Sequence, residues 1–294
     1  MSQKNSTFQD YIELSKPRIS FFCILMTAGG VILAPGNIDF LSFIMTLFGT
    51  SLSVASANTF NMIYERKTDK LMRRTRYRPL ATGRLKVFNA VIFATALGVS
   101  SIFLLAIYVN ILTASLAFIA IFAYSLIYTP LKYKTPLALV IGAFPGAMPP
   151  LLGWTAVTNK VDLPGLVLFG VLFAWQMPHF IAIAIYHKED YTKAGIKVVS
   201  AIRGDHVAKI QAVLWTIVLI GISVLLVPLQ VGGLIYLGFS VILGVWFLRL
   251  SIIGLKRDVL PNWPRKFFLA SLVYLPVLVL GLVADRFIWM LIGK

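Results

Sequence analysis

Asn61, Glu65 and Asp69 recur at intervals of four residues. On a helix that spacing stacks an amide and two carboxylates along one face, within roughly 80° of arc. Oxygen donors so arranged suit a hard divalent cation such as Mg2+, which keeps several waters and is usually held by one or two carboxylates plus substrate phosphates. Arg73, Arg74, Arg76 and Arg78 follow directly. Their planar guanidinium groups match phosphate geometry. A diphosphate at a membrane surface would satisfy the metal and the arginines together. The plainer readings are a helix-packing amide at Asn61, solvated carboxylates beyond a helix end, and arginines that only fix topology. The shared four-residue phase weighs against solvated carboxylates.

A second set begins with Trp175-Gln176-Met177-Pro178-His179-Phe180, which puts indole, amide, thioether and imidazole inside an apolar run kinked by proline. His179, Tyr186 and Asp190 are spaced by seven and four, close to one helical face, and can point into the same cavity as the first set. The plain alternative is an ordinary kinked helix with interfacial aromatics. All three histidines (His179, His187, His206) fall in or beside the loop that follows, together with Glu189, Asp190 and Asp205. The stretch Gly142 to Pro150, rich in Gly, Ala and Pro, predicts another helix break. Its small residues serve either close helix approach or room for a bulky lipid.

The elements that must position these residues are membrane helices. Hydrophobic residues make up 59% of the 294, charged ones 13%, and the mean hydropathy is +0.85, which excludes an ordinary soluble domain. Apolar runs of near-spanning length are predicted at 19–35, 41–64, 88–108, 111–129, 137–157, 164–186, 209–228, 231–249 and 267–290. The expectation is an all-α integral membrane protein: nine transmembrane helices in one bundle, the N-terminus cytoplasmic and the C-terminus on the opposite side. It reads as a single domain over 1–294, with a cytoplasmic arm (1–18) and cytoplasmic active-site loops at 65–87 and 187–208. The sole cysteine, Cys23, rules out an internal disulfide, and the polar, mixed-charge start predicts a retained first helix rather than a cleaved signal.

Of the 27 Lys and Arg residues, 24 lie at one predicted face and only Lys160, Arg286 and Lys294 at the other. That split sets the orientation by the positive-inside rule. It also accounts for the net charge of +16 through topology and anionic headgroups, so no nucleic-acid partner is expected. The acids gather at the same face rather than at mid-membrane, which disfavours a cation-coupled transporter.

These motifs resemble those of the intramembrane (UbiA-type) prenyltransferases, whose first motif is Asn-x-x-x-Asp-x-x-x-Asp, here Asn61-x-x-x-Glu65-x-x-x-Asp69. Within that family, Asp69-x-x-Met72-x-Arg74-Thr75-x-x-Arg78-Pro79-Leu80, Pro149-Pro150-Leu151-x-Gly153-Trp154, the Trp175–Phe180 run and Asp190-Tyr191-x-x-Ala194-Gly195 are similar to the branch that farnesylates protohaem. The likeness runs from about Lys16 to Gly204. It implies transfer of farnesyl from farnesyl diphosphate to a vinyl group of haem B with addition of water, giving haem O for terminal oxidases. A relative acting on an aromatic quinone precursor is the alternative.

The resemblance further implies Mg2+ as cofactor and Asn61, Glu65, Asp69 and Asp190 as catalytic and metal-holding residues. Lys70, Arg74, Arg78 and Lys132 would bind the diphosphate, and Trp175, His179, Tyr186 and His187 would line the haem pocket. Phe60, Tyr64, Phe180 and Tyr186 could shelter an allylic cation. The implied setting is the inner or plasma membrane, multi-pass, with the active site facing the cytoplasm and contact with haem A synthase or terminal-oxidase assembly factors. Glu65 stands where the family usually has Asp, Ala138 where it usually has Asn, and Lys197 and Ser200 where it usually has Pro.

Overall fold

A computed structural model describes residues 7–256 and 258–291. The first six residues of the predicted arm, Arg257 and residues 292–294 lie outside the described residues. In chain order the helices are α1 (Phe8–Leu14), α2 (Pro17–Leu33), α3 (Phe40–Asp69), α4 (Pro79–Thr82) and α5 (Val87–Tyr108). Next, α6 (Ile111–Phe122) passes through a π-helical turn (Ala123–Tyr128) into α7 (Thr129–Leu131). Then come α8 (Ala138–Gly146), α9 (Met148–Thr158), α10 (Leu163–Tyr186), α11 (Lys188–Lys193) and α12 (Val199–Ile202). Last are α13 (Asp205–Val224), α14 (Leu234–Ile253) and α15 (Trp263–Leu291). No strand occurs among the described residues.

Eight spans among the described residues are long and apolar enough to cross a bilayer. The pair α1 and α2, bent by 51°, makes nine when taken as one span. The predicted fifth span is broken where expected: α8 carries Pro145 and ends at Gly146, and α9 restarts at Met148.

Small residues decide how the helices meet. A Cβ at Gly30 of α2 would collide with the Pro150 carbonyl, and one at Gly153 of α9 with the Thr27 carbonyl. The two backbones therefore touch directly, as membrane helices do where packing rather than water exclusion drives association. Gly142 and Gly146 likewise sit against the Tyr128 ring and the Gln176 side chain. The small residues of this stretch serve close approach. The largest apolar cluster joins α10, α13, α14 and α15 around Phe247, Phe267 and Tyr274.

Two features aim the polar residues. α3 runs on to Asp69, beyond the apolar run expected to stop near residue 64, so Glu65 and Asp69 remain helical. The chain then turns back, with the Thr75 hydroxyl donating to the Asp69 carbonyl at 3.0 Å. The loop expected at 187–208 is mostly ordered as α11, α12 and the first turn of α13. At another point of the fold, Asp285 of α15 accepts from the backbone N–H groups of Gly233 and Tyr236 and so caps α14.

Candidate active site

The helical register of α3 puts Asn61, Glu65 and Asp69 on one buried face. Arg78 Nη1 donates to both Asp69 oxygens, at 2.9 and 3.0 Å, and lies 3.7 Å from Glu65 Oε2. Glu65 Oε1 pairs with Lys132 and accepts from Asn61 Nδ2. Asn61 Nδ2 also donates to Thr129 Oγ1 at 3.2 Å, and Thr129 spends its own hydroxyl proton on the Tyr124 carbonyl at 2.7 Å. Lys16 Nζ donates to Asn61 Oδ1 at 3.4 Å. An ammonium has only donors, so it must face the amide oxygen, and this fixes the orientation of Asn61. The π turn contributes here: such turns carry one extra residue and occur often at functional sites.

Of these groups, Lys16, Asn61, Glu65, Arg78, Tyr124 and Lys132 form one wall of a cavity of about 250 Å³. The opposite wall comes from α10 through Phe180, Ile181 and Ala184, and from the α11–α12 segment through Tyr191, Lys197 and Ser200. Lys197 is tied across by its backbone N–H, which donates to the Lys132 carbonyl at 2.8 Å. Lys16, Arg74, Arg78, Lys132 and Lys197 line the space, against Glu65 as the lining carboxylate. Burial, then Arg78, lowers Lys16 to about 7, and burial, then Lys16, lowers Lys132 to about 7. Cations crowded to this degree are relieved by an incoming anion. His187 is lowered by burial and by Arg74, with Asp190 acting in the other direction.

The oxygen donors of Asn61, Glu65 and Asp69 fit Mg2+, whose remaining positions phosphate and water would fill. Among the described residues no three His, Cys, Asp or Glu side chains gather as a ligand set of their own.

Comparison with known proteins gives the same direction. Residues 22–272 match the model of the UbiA prenyltransferase family. The chain belongs to that family. A protoheme IX farnesyltransferase of Myxococcus xanthus is 44% identical over 94% of both chains. One from Sorangium cellulosum is 46% identical over 81% of this chain and 85% of its own. Among solved structures, a digeranylgeranylglyceryl phosphate synthase matches with a TM-score of 0.80 at 20% identity, covering 95% of this chain and 98% of that one. A UbiA homolog from Archaeoglobus fulgidus bound to GPP and Mg2+ matches at 0.60 and 17% identity, covering 93% and 99%.

In this UbiA prenyltransferase the structure brings together Asn61, Glu65, Asp69, Arg74, Arg78 and Lys132 of the residues named from sequence. Lys70 points outward and is exposed. Asp190 is half-buried on α11, apart from the carboxylates of α3 and close enough to His187 to act on its charge. Trp175 and His179 face α15 rather than the cavity: Trp175 Nε1 donates to the Ser271 carbonyl at 2.9 Å, and His179 Nδ1 lies 2.7 Å from Ser271 Oγ. Their rings stack at 4.6 Å, and Phe22 stacks on Trp175 at 5.7 Å. Tyr186 is 51% exposed, edge-on to His187 at 4.7 Å.

Sequence reasoning about this prenyltransferase missed Lys16, Thr129, Tyr124 and Tyr128 as site residues. Lys16 read only as a topology charge, yet its left-handed backbone (φ 46°) at the α1–α2 turn precedes a side chain aimed into the site. Ala138, Lys197 and Ser200, the departures from the family pattern, all line this same cavity.

Proposed function

We propose that this chain transfers the farnesyl group of farnesyl diphosphate to a vinyl group of haem B, with addition of water, releasing haem O and diphosphate. The observation that carries the reading is the cavity in which Asn61 and Glu65 meet five cationic side chains, with Asp69 holding Arg78 from behind, in a chain 44% identical to a protoheme IX farnesyltransferase. The Archaeoglobus structure with GPP and Mg2+ supports a prenyl diphosphate and a divalent ion as the family's ligands.

In this reading Asn61, Glu65 and Asp69 would hold Mg2+, which supplies neutralisation of the diphosphate oxygens. Asp190, half-buried on α11, would supply a further carboxylate for the same ion. Arg74, Arg78 and Lys132 receive the negative charge that grows on the leaving oxygen as the C–O bond of farnesyl C1 breaks, and Lys70 attracts the anion from outside. Fixed charges aimed at developing charge are commonly the largest catalytic term. The vinyl carbon then bonds to C1, and water captures the carbocation left on the haem side chain, losing a proton.

Phe180, Tyr124 and Tyr128 face the cavity and can shelter the allylic cation, each contributing ~1–2 kcal/mol when desolvated. Trp175 and His179 brace α10 against α15, and Tyr186 and His187 close the C-terminal end of α10. The apolar bundle keeps stray water from the cation. The 24-to-3 distribution of Lys and Arg supports a plasma- or inner-membrane protein whose site opens to the cytoplasm.

The test is pigment analysis of membranes containing the protein, supplied with haem B and farnesyl diphosphate. Haem O should appear, and its absence would sink the assignment. Asp69→Asn should reduce turnover at least 100-fold, on the order expected for loss of a charge-stabilising group, while the variant still inserts. Chelation by EDTA should stop the wild-type reaction and added Mg2+ should restore it.

A further inference from the structure

Arg84 ties the N-terminal helix to the basic loop. Its Nε lies 3.1 Å from Asp10 Oδ1, and its Nη2 lies 3.2 Å from Glu13 Oε2. The same Nη2 donates to the carbonyl of Tyr77 at 3.1 Å, one residue before Arg78. Gly83, with φ +79°, turns the chain at the end of α4 directly before Arg84. A Cβ there would meet nothing, so the constraint is the left-handed torsion itself, which residues with a side chain rarely adopt.

Asp10 has two tasks. Its Oδ2 accepts from the backbone N–H of Thr7 at 2.9 Å and from the Thr7 hydroxyl at 3.1 Å, capping α1, while its Oδ1 faces Arg84. Apolar contacts complete the dock: Leu14 packs with Met62, Leu80 and Leu85, and Tyr11 meets Phe93 edge-on at 5.0 Å. At the other end of α1 stands Lys16, in its left-handed conformation, with Nζ on Asn61. A non-glycine residue holds such a torsion only where its surroundings over-determine it.

A single short helix is thus joined to two arms of the cavity. Through its C-terminal end it sets Lys16, and through Arg84 it reaches the carbonyl beside Arg78. Exposed ion pairs contribute little, but this guanidinium hydrogen-bonds both Glu13 and the Tyr77 carbonyl through Nη2 while its Nε faces Asp10 as an ion pair, so it ties geometry as well as charge.

We propose that Arg84 is a positioning residue for diphosphate binding: clasped by Asp10 and Glu13, it sets the loop that presents Arg78 and anchors the helix that presents Lys16. This rests on reading the cavity as a diphosphate site. Arg84 itself does not line the cavity.

The test is calorimetric binding of Mg2+ and inorganic pyrophosphate to purified wild type, Arg84→Ala, Arg84→Lys and Asp10→Asn, alongside steady-state kinetics. Arg84→Ala should weaken pyrophosphate binding and raise KM for farnesyl diphosphate roughly tenfold, the effect of misplacing binding groups slightly. KM for haem B and kcat at saturation should stay near wild type. Arg84→Lys should recover part of the loss. The exchange of Asp10→Arg with Arg84→Asp should bind more tightly than either single variant.

Wild-type pyrophosphate affinity in both Arg84→Ala and Asp10→Asn overturns the proposal. So does a parallel fall in kcat and in affinity for both substrates, which would mark a merely structural contact. If wild type binds pyrophosphate but makes no haem O, the reaction assigned above fails while the clasp stands on its binding data. If wild type does not bind pyrophosphate, both fail.

Discussion

Glu65 is the carboxylate on which the site converges, since Lys132, Arg78 and Asn61 all reach it. Its extra methylene, relative to the aspartate usual in the family, lets one side chain meet partners from both the α7 end and the basic loop. Glu65→Asp should keep the charge and lose reach, lowering turnover by about tenfold and raising the Mg2+ needed for half-maximal rate. Glu65→Gln keeps reach and loses charge, and should cost roughly 100-fold or more, on the scale of losing a group that stabilises developing charge. Titration of turnover against Mg2+ separates the two. The stripe itself was legible because four-residue spacing is a local property of one helix. Its partners were not: Lys132 lies 67 residues from Glu65, and Lys16 lies 45 from Asn61. Their arrival depends on a π turn and on a left-handed lysine, neither of which leaves a periodic mark.

At the scale of elements, breaks were easier to read than ends. Pro145 within the Gly142–Pro150 stretch announced the discontinuity between α8 and α9. The apolar run of α3 stops near residue 64, and the polar residues that carry the helix on to Asp69 were legible only in their four-residue spacing. The cap that Asp285 places on α14 was hidden, since the donors lie 52 and 49 residues away. Asp285→Ala would leave two buried N–H groups without partners, at a cost of about 1–3 kcal/mol each. Thermal unfolding of the purified variant in detergent should show a lower Tm, with turnover per folded molecule close to wild type. Unchanged Tm would mean that water replaces the carboxylate there.

For the whole molecule, composition and hydropathy carried the class, an all-helical membrane protein expected to have nine spans, and the described residues have eight, or nine with the bent pair taken as one. Sidedness rests on charge and can be tested directly. In a Cys23→Ser background, Arg73→Cys should react with a membrane-impermeant maleimide in inside-out vesicles and not in intact cells. Lys160→Cys should do the reverse. Equal labelling of both from one side would overturn the orientation. The long-range assembly of the cavity was illegible for a general reason, as hydropathy reports which segments enter lipid and says nothing about which of their faces meet.

The π turn at Ala123–Tyr128 also bears on how this enzyme tolerates change in length. A π turn holds one residue more than a regular α-helical turn would need. Removing Ile127 should therefore yield an unbroken helix rather than a ruptured one, rotating Thr129 and Lys132 away from Asn61 and Glu65. The shortened protein should insert normally, melt at or above the wild-type temperature, and be inactive, which a melting curve and a pigment assay would record together. Regularity of the helix and competence of the enzyme are then alternatives, and a single residue decides between them.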